Sequence, residues 1–330
     1  MASSSRRRLL GGGMALAGLG VLSACGVLPL AAPQKRVARV GLLKQPPVDY
    51  VDVFRDAMRE LGYVEGTDWV LDYRLIERVD QLPERAAEMA RARVDVIVAP
   101  NTAAVDAARK ASPTTPIVIV NITDPIAAGF TTSLNRPDGT VTGTTLASRG
   151  VAGKRLQLLK QVTPGMTRVG VMWVPSSVVS ESQWRETIDA AESLGLEVLS
   201  LEVEQPADFP AALELAVQQR AEALFLPIHQ VVMAQLGQIA SFALAHQLPS
   251  MAFQREYVDQ GGLLSYGASV PAMYHRAAYF VDRLLKGARV ADLPVELPTT
   301  WDFIINSRTA QAMGLHVPDS VWSQATEIVS

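Results

Sequence analysis

The stretch Val94–Ala128, VDVIVAPNTAAVDAARKASPTTPIVIVNITDPIAA, decides how the rest of the chain is read. Asp95–Ala99 is a short apolar, β-branched run, the pattern of a strand buried on both faces. Asn101-Thr102-Ala103 then opens a helical stretch, Ala104–Lys110. Thr102 is expected to cap it, because a hydroxyl there accepts from N–H groups of the first turn. Ser112–Pro116 breaks the helix, and Ile117–Val120 is a second buried strand followed by Asn121, Thr123, Asp124 and Pro125. Two parallel strands thus stop side by side, each followed by small polar residues. Ligands of open α/β sheets bind just outside the carboxyl ends of the strands, so this edge is expected to form half of a ligand cleft.

Working outward, the same alternation continues in both directions. Upstream lie a strand (Val37–Leu43), a Pro-rich loop (Lys44–Tyr50), an amphipathic helix (Val51–Leu61) stopped by Gly62, a strand (Val70–Arg74) and a helix (Leu82–Ala92). Tyr63, Trp69 and Tyr73 read as packing residues around that second strand. Downstream, Val141–Ser148 leads into a helix, Gly150–Val162, and the series then restarts. The restart comprises strand Arg168–Val174, helix Glu181–Leu194, strand Glu197–Val203, helix Phe209–Gln219, strand Ala223–Pro227, helix Val231–His246 and strand Pro249–Phe253. Strand Leu263–Tyr266, helix Met273–Lys286, strand Phe303–Asn306 and helix Thr309–Met313 complete the chain. A restarted βα series predicts a second lobe, so the expected fold class is α/β, two doubly wound parallel-sheet lobes with a cleft between them.

Composition agrees with this and narrows the function. Of 330 residues 48% are hydrophobic, ample for two cores, and the net charge of −3 comes with no basic block, which argues against nucleic acid. Met1–Ala24 carries Arg6, Arg7 and Arg8, no acid, and an uncharged run rich in Gly, Ala and Leu, the layout of an export signal. The one cysteine, Cys25, follows Leu22-Ser23-Ala24 in a sequence that resembles a lipobox, so a lipoprotein signal peptide (1–24), lipidation at Cys25 and a tether (25–36) are expected. Ser5–Leu10 is also a loose match to a twin-arginine signal. A single cysteine leaves no disulfide framework and no cysteine-based zinc site.

Several segments resemble one family. The run D-V-I-V-A…T-A-A, P-I-V…D-P-I…S-L…R-P-x-G-x-x-T-G (Asp95–Gly143), the segment Phe54–Gly66, the A-G-K-R-L-x-L-L-K pattern after Val151, Gly261-Gly262-Leu263-Leu264-Ser265-Tyr266-Gly267 and Asp292–Thr299 carry the likeness. They are similar to ABC-transporter substrate-binding proteins related to the tryptophan/phenylalanine-type binding lipoproteins, from about residue 37 to the C-terminus. The resemblance implies the type I periplasmic binding fold. It implies an N-terminal lobe of residues 37–146 plus about 268–292 and a C-terminal lobe of 147–267 plus about 293–330. Crossings would fall near Ala147–Gly153, Tyr266–Val270 and Leu293–Thr299. The implied partners are a small-molecule solute, an ABC permease with its ATPase, and a membrane through the lipid anchor; a monomer is expected. The sequence departs from the family pattern at Asn101 and Ala103, at Val174-Pro175 and at Ile228-His229, all at the expected cleft. The resemblance therefore carries the fold but not the ligand.

Catalytic signatures fail one by one. Gly150–Lys154 has too few residues between its glycines for a phosphate loop, and Arg155 stands where Ser or Thr is needed. No nucleophile elbow occurs, and His229, His246, His275 and His316 lack metal spacing. No catalytic residue, metal or cofactor is expected. What remains are polar and aromatic residues after strands: Lys44, Gln45, Asn101, Thr102, Asn121, Thr123 and Asp124 in the first lobe, and Trp173, Ser176, Ser177, His229, Gln230, Phe253 and Arg255 in the second. Tyr266 is either a ring against the ligand or, with Gly267, part of the hinge. The helix end after Thr102 suits a carboxylate and Asp124 an ammonium, so the expected solute is an amino acid or similar zwitterion. A ligand-sensing lipoprotein presenting its solute to a membrane receptor is the alternative, and an α/β enzyme a more distant one.

Overall fold

The structure, a computed structural model, describes residues 36–44, 50–146 and 150–330. Gln45, Cys25, the signal and tether up to residue 35, and the start of the first crossing at 147–149 lie outside the described residues. The first half runs β1 (Ala38–Lys44), α1 (Val51–Glu60), β2 (Trp69–Leu75), α2 (Leu82–Arg91), β3 (Val96–Ala99), α3 (Thr102–Ala111), β4 (Ile117–Ile122) and β5 (Val141–Thr145). The second half begins with α4 (Ala152–Val162), β6 (Arg168–Trp173), α5 (Val178–Ser193), β7 (Glu197–Glu202), α6 (Phe209–Gln218) and β8 (Ala223–Leu226). It continues with α7 (Gln230–Met233), α8 (Leu236–Ala245), β9 (Ser250–Ala252), α9 (Arg255–Asp259), β10 (Leu264–Ala268) and α10 (Val270–Leu285). The last elements are β11 (Trp301–Asn306), α11 (Ser307–Ala312), α12 (Asp319–Trp322) and β12 (Glu327–Val329).

Two sheets result. One is wholly parallel in the order β2-β1-β3-β4-β5; the other runs β12-β11-β10-β9-β8-β6-β7 and is parallel except where β11 meets β10. The apolar strands Val96–Ala99 and Ala223–Leu226 are buried throughout, as strands covered by helices on both faces must be. Helix α1 buries Val51, Phe54, Ala57 and Met58, one helical face, and Phe54 meets the Trp69 ring edge-on at 5.8 Å. Gly62 (φ 87°) ends the helix in the left-handed conformation a side chain resists.

The chain changes sheet more than once. It leaves the seven-stranded sheet at Ala268, and α10 then packs Met273, Tyr274, Ala277, Ala278 and Val281 into the core of the five-stranded sheet with Val40, Val98, Val118 and Val120. After α10, residues up to Glu296 stay with the five-stranded sheet: the Thr142 hydroxyl donates to the Leu293 carbonyl at 2.7 Å, and the Glu296 N–H to Gly143 at 2.8 Å. The return therefore falls after Glu296, between it and β11. Because β11 arrives from the other lobe, it is free of the right-handed crossover that keeps βαβ strands parallel, and it pairs antiparallel.

Three local expectations change. Asn101, not Thr102, is the N-cap of α3; its backbone is extended (φ −158°, ψ 168°) and its Oδ1 accepts from the Ala104 N–H at 2.9 Å. Asparagine is among the strongest N-cap residues, so the cap falls one residue earlier and Thr102 becomes the first residue of the helix. The stretch Val231–His246 is two helices, broken at Ala234-Gln235, so that Val232 and Leu236 are both buried while Met233 is only partly covered. The short α9 and β12 carry too few residues for a periodic signal.

Candidate functional site

In a sheet of order 2-1-3-4-5 the strand order reverses between the first and third strands, and the loops there splay apart to leave a crevice. Both lobes have that order at their core: β2-β1-β3-β4-β5, and β7-β6-β8-β9-β10. A cavity of about 820 Å³ lies where the two crevices face each other, within the size range of small-molecule sites. The first lobe supplies Tyr50 after β1, Asn101, Thr102 and Ala103 after β3, and Asn121, Thr123 and Asp124 at the end of β4. The second supplies Ser177 and Val179 after β6, Ile228, His229 and Gln230 after β8, and Gln254 and Glu256 after β9. Tyr274, one turn into α10, completes the wall with Met233 and Leu236.

Each polar group is held for a local reason. The Asp124 Oδ1 accepts from the Ile126 and Ala127 N–H groups at 3.0 and 2.9 Å, so the carboxylate also shapes the turn after β4. The Asn121 Oδ1 is buried and has no hydrogen-bond partner among the described residues. His229 caps α7 through Nδ1, which accepts from Val231 at 3.3 Å; burial pushes its pKa down, against the pull of Glu204, and favours the neutral ring. Tyr50 and Tyr274 form a tilted pair with ring centroids 5.6 Å apart. Burial, then the nearby Glu256 charge, pushes the Tyr50 hydroxyl up to about 12. The Glu256 carboxyl is itself raised, by burial first and by Asp259 next, against Arg255.

Asn101, Thr102, Asn121, Thr123, Asp124, Ser177, His229 and Gln230 are thus brought to one cavity. The other sequence candidates lie elsewhere. Lys44 is buried at the end of β1. The Trp173 ring stacks on Trp184 at 4.8 Å and its Nε1 donates to Ser200 at 2.8 Å. Ser176 donates its backbone N–H to Glu204 at 2.9 Å, and its hydroxyl to the same carboxylate. Phe253, 2% exposed, lies under the Arg155 guanidinium at 4.7 Å. Arg255 pairs with Glu327 and with Asp259, and lines with Phe253 an adjoining cavity of about 330 Å³. Tyr266 stacks on Trp301 at 5.7 Å, on the strand that leads to the second crossing.

Sequence reasoning missed Tyr50, Tyr274, Gln254 and Glu256. Tyr50 stands six residues beyond the end of β1, at the far end of its loop, and Gln254 and Glu256 flank Arg255, the residue the sequence named in its loop. Tyr274 lies on a helix that joins the wall by crossing between lobes, which no local pattern reveals.

Known proteins share this architecture. The ABC domain from Streptococcus pneumoniae in complex with L-Trp superimposes with a TM-score of 0.77 at 24% identity, over 89% of this chain and all of that one. A substrate binding protein with adhesive properties from Clostridium difficile, in its ligand-free, open structure, gives 0.73 at 23% identity, over 89% of this chain and 99% of that one. These likenesses fix the type I periplasmic-binding fold. The Tyrosine-binding protein of Clostridioides difficile (strain R20291) is 25% identical over 284 residues, 86% of this chain and 81% of that protein. Residues 42–329 match the family described as ABC transporter substrate binding protein, and the chain belongs to it.

Proposed function

We propose that this chain is an extracytoplasmic, lipid-anchored binding protein that takes up an amino acid or similar small solute between its lobes and delivers it to an ABC permease, without catalysis of its own. The observation that carries this reading is the cavity walled by strand-end loops of both lobes: a solute seated there touches both and favours their closure. In this reading residues 37–146 with about 268–296 form one moving body and the remainder of the folded chain the other. Asp124 takes the solute's ammonium, and the N-terminus of α3, behind Thr102, takes its carboxylate. Relatives named for tyrosine and tryptophan support an amino acid as the solute class.

A thermal-shift screen of amino acids, nucleosides and small carboxylates tests the reading. A true solute raises the melting temperature with concentration, by about 2.7 kcal/mol of stability at a hundredfold excess over Kd. A screen in which no amino acid shifts the melt sinks the solute class. Intact-mass measurement of membrane-extracted protein tests the anchor: it should begin at Cys25 and carry added lipid, and a free Cys25 thiol in a soluble mature protein refutes it.

A further inference from the structure

The cavity walls are acceptor-rich. Asp106, Asp124 and Glu256 line it, no Lys or Arg does among the described residues, and His229 is held toward its neutral form. Arg255 lines the adjoining cavity together with Glu256 and Tyr50, but its guanidinium is engaged there with Glu327 and Asp259. The Asn121 Oδ1, in the same wall, is a buried acceptor with no hydrogen-bond partner among the described residues. A zwitterion brings one ammonium and one carboxylate, which answers Asp124 and leaves Glu256 facing the far end of the solute. That end also meets Tyr50 and Tyr274, whose ring faces attract cations.

We propose that Glu256, with Tyr50 and Tyr274, forms a subsite for a positively charged solute end, so that the cavity selects a basic amino acid or related amine over a neutral aromatic one. The proposal rests on the binding reading above and sharpens its solute class. A half-buried carboxylate carries a desolvation cost, which raises its pKa, and a cationic partner relieves it. A neutral aromatic side chain would add to that desolvation with no charge to offset it. The short α9 that carries Glu256 follows directly on β9, so the carboxylate enters from the second lobe while Asp124 enters from the first. A solute charged at both ends would thus be held by one carboxylate from each lobe.

Calorimetric titration of the purified protein with L-lysine, L-arginine, L-norleucine, L-tyrosine, L-tryptophan and cadaverine is the test, repeated on Glu256→Gln and Asp106→Asn. L-Lysine or L-arginine should bind at least about tenfold tighter than L-norleucine, the chain without the charge. Glu256→Gln should shrink that ratio about tenfold while circular dichroism shows an unchanged fold. If L-tyrosine or L-tryptophan binds tighter than every cation, the charge proposal falls and the amino-acid reading stands. If cadaverine binds and no amino acid does, the cation subsite stands and the amino-acid reading falls. A lysine preference that survives Glu256→Gln undiminished overturns the role of Glu256, and one lost only in Asp106→Asn moves it to that residue. Silence from every ligand overturns both.

Discussion

At the scale of single residues, the proposed roles of Asp124 and Glu256 differ, and their variants should separate them. The Asp124 Oδ1 accepts two backbone N–H groups in the turn after β4, so an alanine there would lose both the turn and the charge. Asp124→Asn keeps an acceptor at Oδ1 and removes only the charge. In calorimetric titration with the identified solute it should cost about 2–5 kcal/mol, the usual penalty for unpairing a buried charge. Thr102→Ala should cost about 1 kcal/mol or less, since the backbone donors of α3 and its Asn101 cap remain. Unchanged affinity in a well-folded Asp124→Asn protein would rule out the ammonium role. Glu256 makes a prediction about stability. Its folded pKa is raised, by burial first. Below the ordinary carboxylate value both folded and unfolded chains hold the proton. As pH rises toward the folded value, the unfolded chain releases its proton first, so the contribution to stability is lost. Glu256→Gln has no proton to release. Its melting temperature in the ligand-free state should match the parent in acid and exceed it increasingly as pH rises to neutrality. A constant offset at all pH values would contradict this origin.

At the scale of elements, β3 and β4 were legible as apolar runs and α1 by its one apolar face, whereas β5, VTGTT, carries no such pattern. The site was legible where it follows such a run directly: Asn101 and Thr102 after β3, Asn121 to Asp124 at the end of β4, and His229 after β8. It was not legible at Trp173 and Ser176. There the strand-end rule named the right loop, but the ring turns onto Trp184 and the serine is tied to Glu204, so that of the residues named in that loop Ser177 alone lines the cavity, beside Val179. Glu256 sits on a helix of five residues, too short for periodicity, and Tyr274 owes its place to a crossing between lobes. One backbone requirement at this scale carries its own prediction. Gly143 in β5 has φ 128°, and a Cβ there would lie 2.2 Å from the Ile119 carbonyl oxygen on β4. Its own carbonyl accepts from Glu296, where the chain prepares to return to the other lobe. Gly143→Ala should lose about 1–3 kcal/mol for the forced overlap alone, read from urea unfolding, because the neighbour is backbone and cannot swing aside. A variant as stable as the parent would show that β4 and β5 can part locally at no cost.

At the scale of the whole molecule, the proposed closure depends on how firmly the crossings set the angle between the lobes, and Arg155 packs against the second of them. It lies on α4, is 3% exposed, donates from Nε to the Tyr266 carbonyl at 2.6 Å, and covers the Phe253 ring at 4.7 Å. Tyr266 is one residue before Gly267, where a Cβ would stand 2.1 Å from the Phe253 carbonyl oxygen, so β10 is pressed close to the end of β9 as it leaves the sheet. Phe253 itself packs in the core of the first lobe. The guanidinium therefore holds the second crossing from one side and the first-lobe core from the other. Burial lowers its pKa to about 10, and its Nη2 has no hydrogen-bond partner among the described residues. Two terms oppose each other in Arg155→Met. Removing a buried charge relieves its desolvation; losing the bond leaves the Tyr266 carbonyl short of a donor, at about 1–3 kcal/mol. The two nearly offset, so urea unfolding should place the variant within about 2 kcal/mol of the parent. Affinity should respond differently. Arg155 lines neither cavity described above, so its loss alters only the fraction of molecules ready to close, and apparent Kd scales inversely with that fraction. Every ligand in a calorimetric panel should then shift by one common factor, about two- to tenfold, with their ranking preserved, whereas Glu256→Gln changes the ranking itself. A reordering of ligands in Arg155→Met would show that the second crossing shapes the cavity wall directly, and would transfer Arg155 from the mechanics of closure to the recognition of the solute.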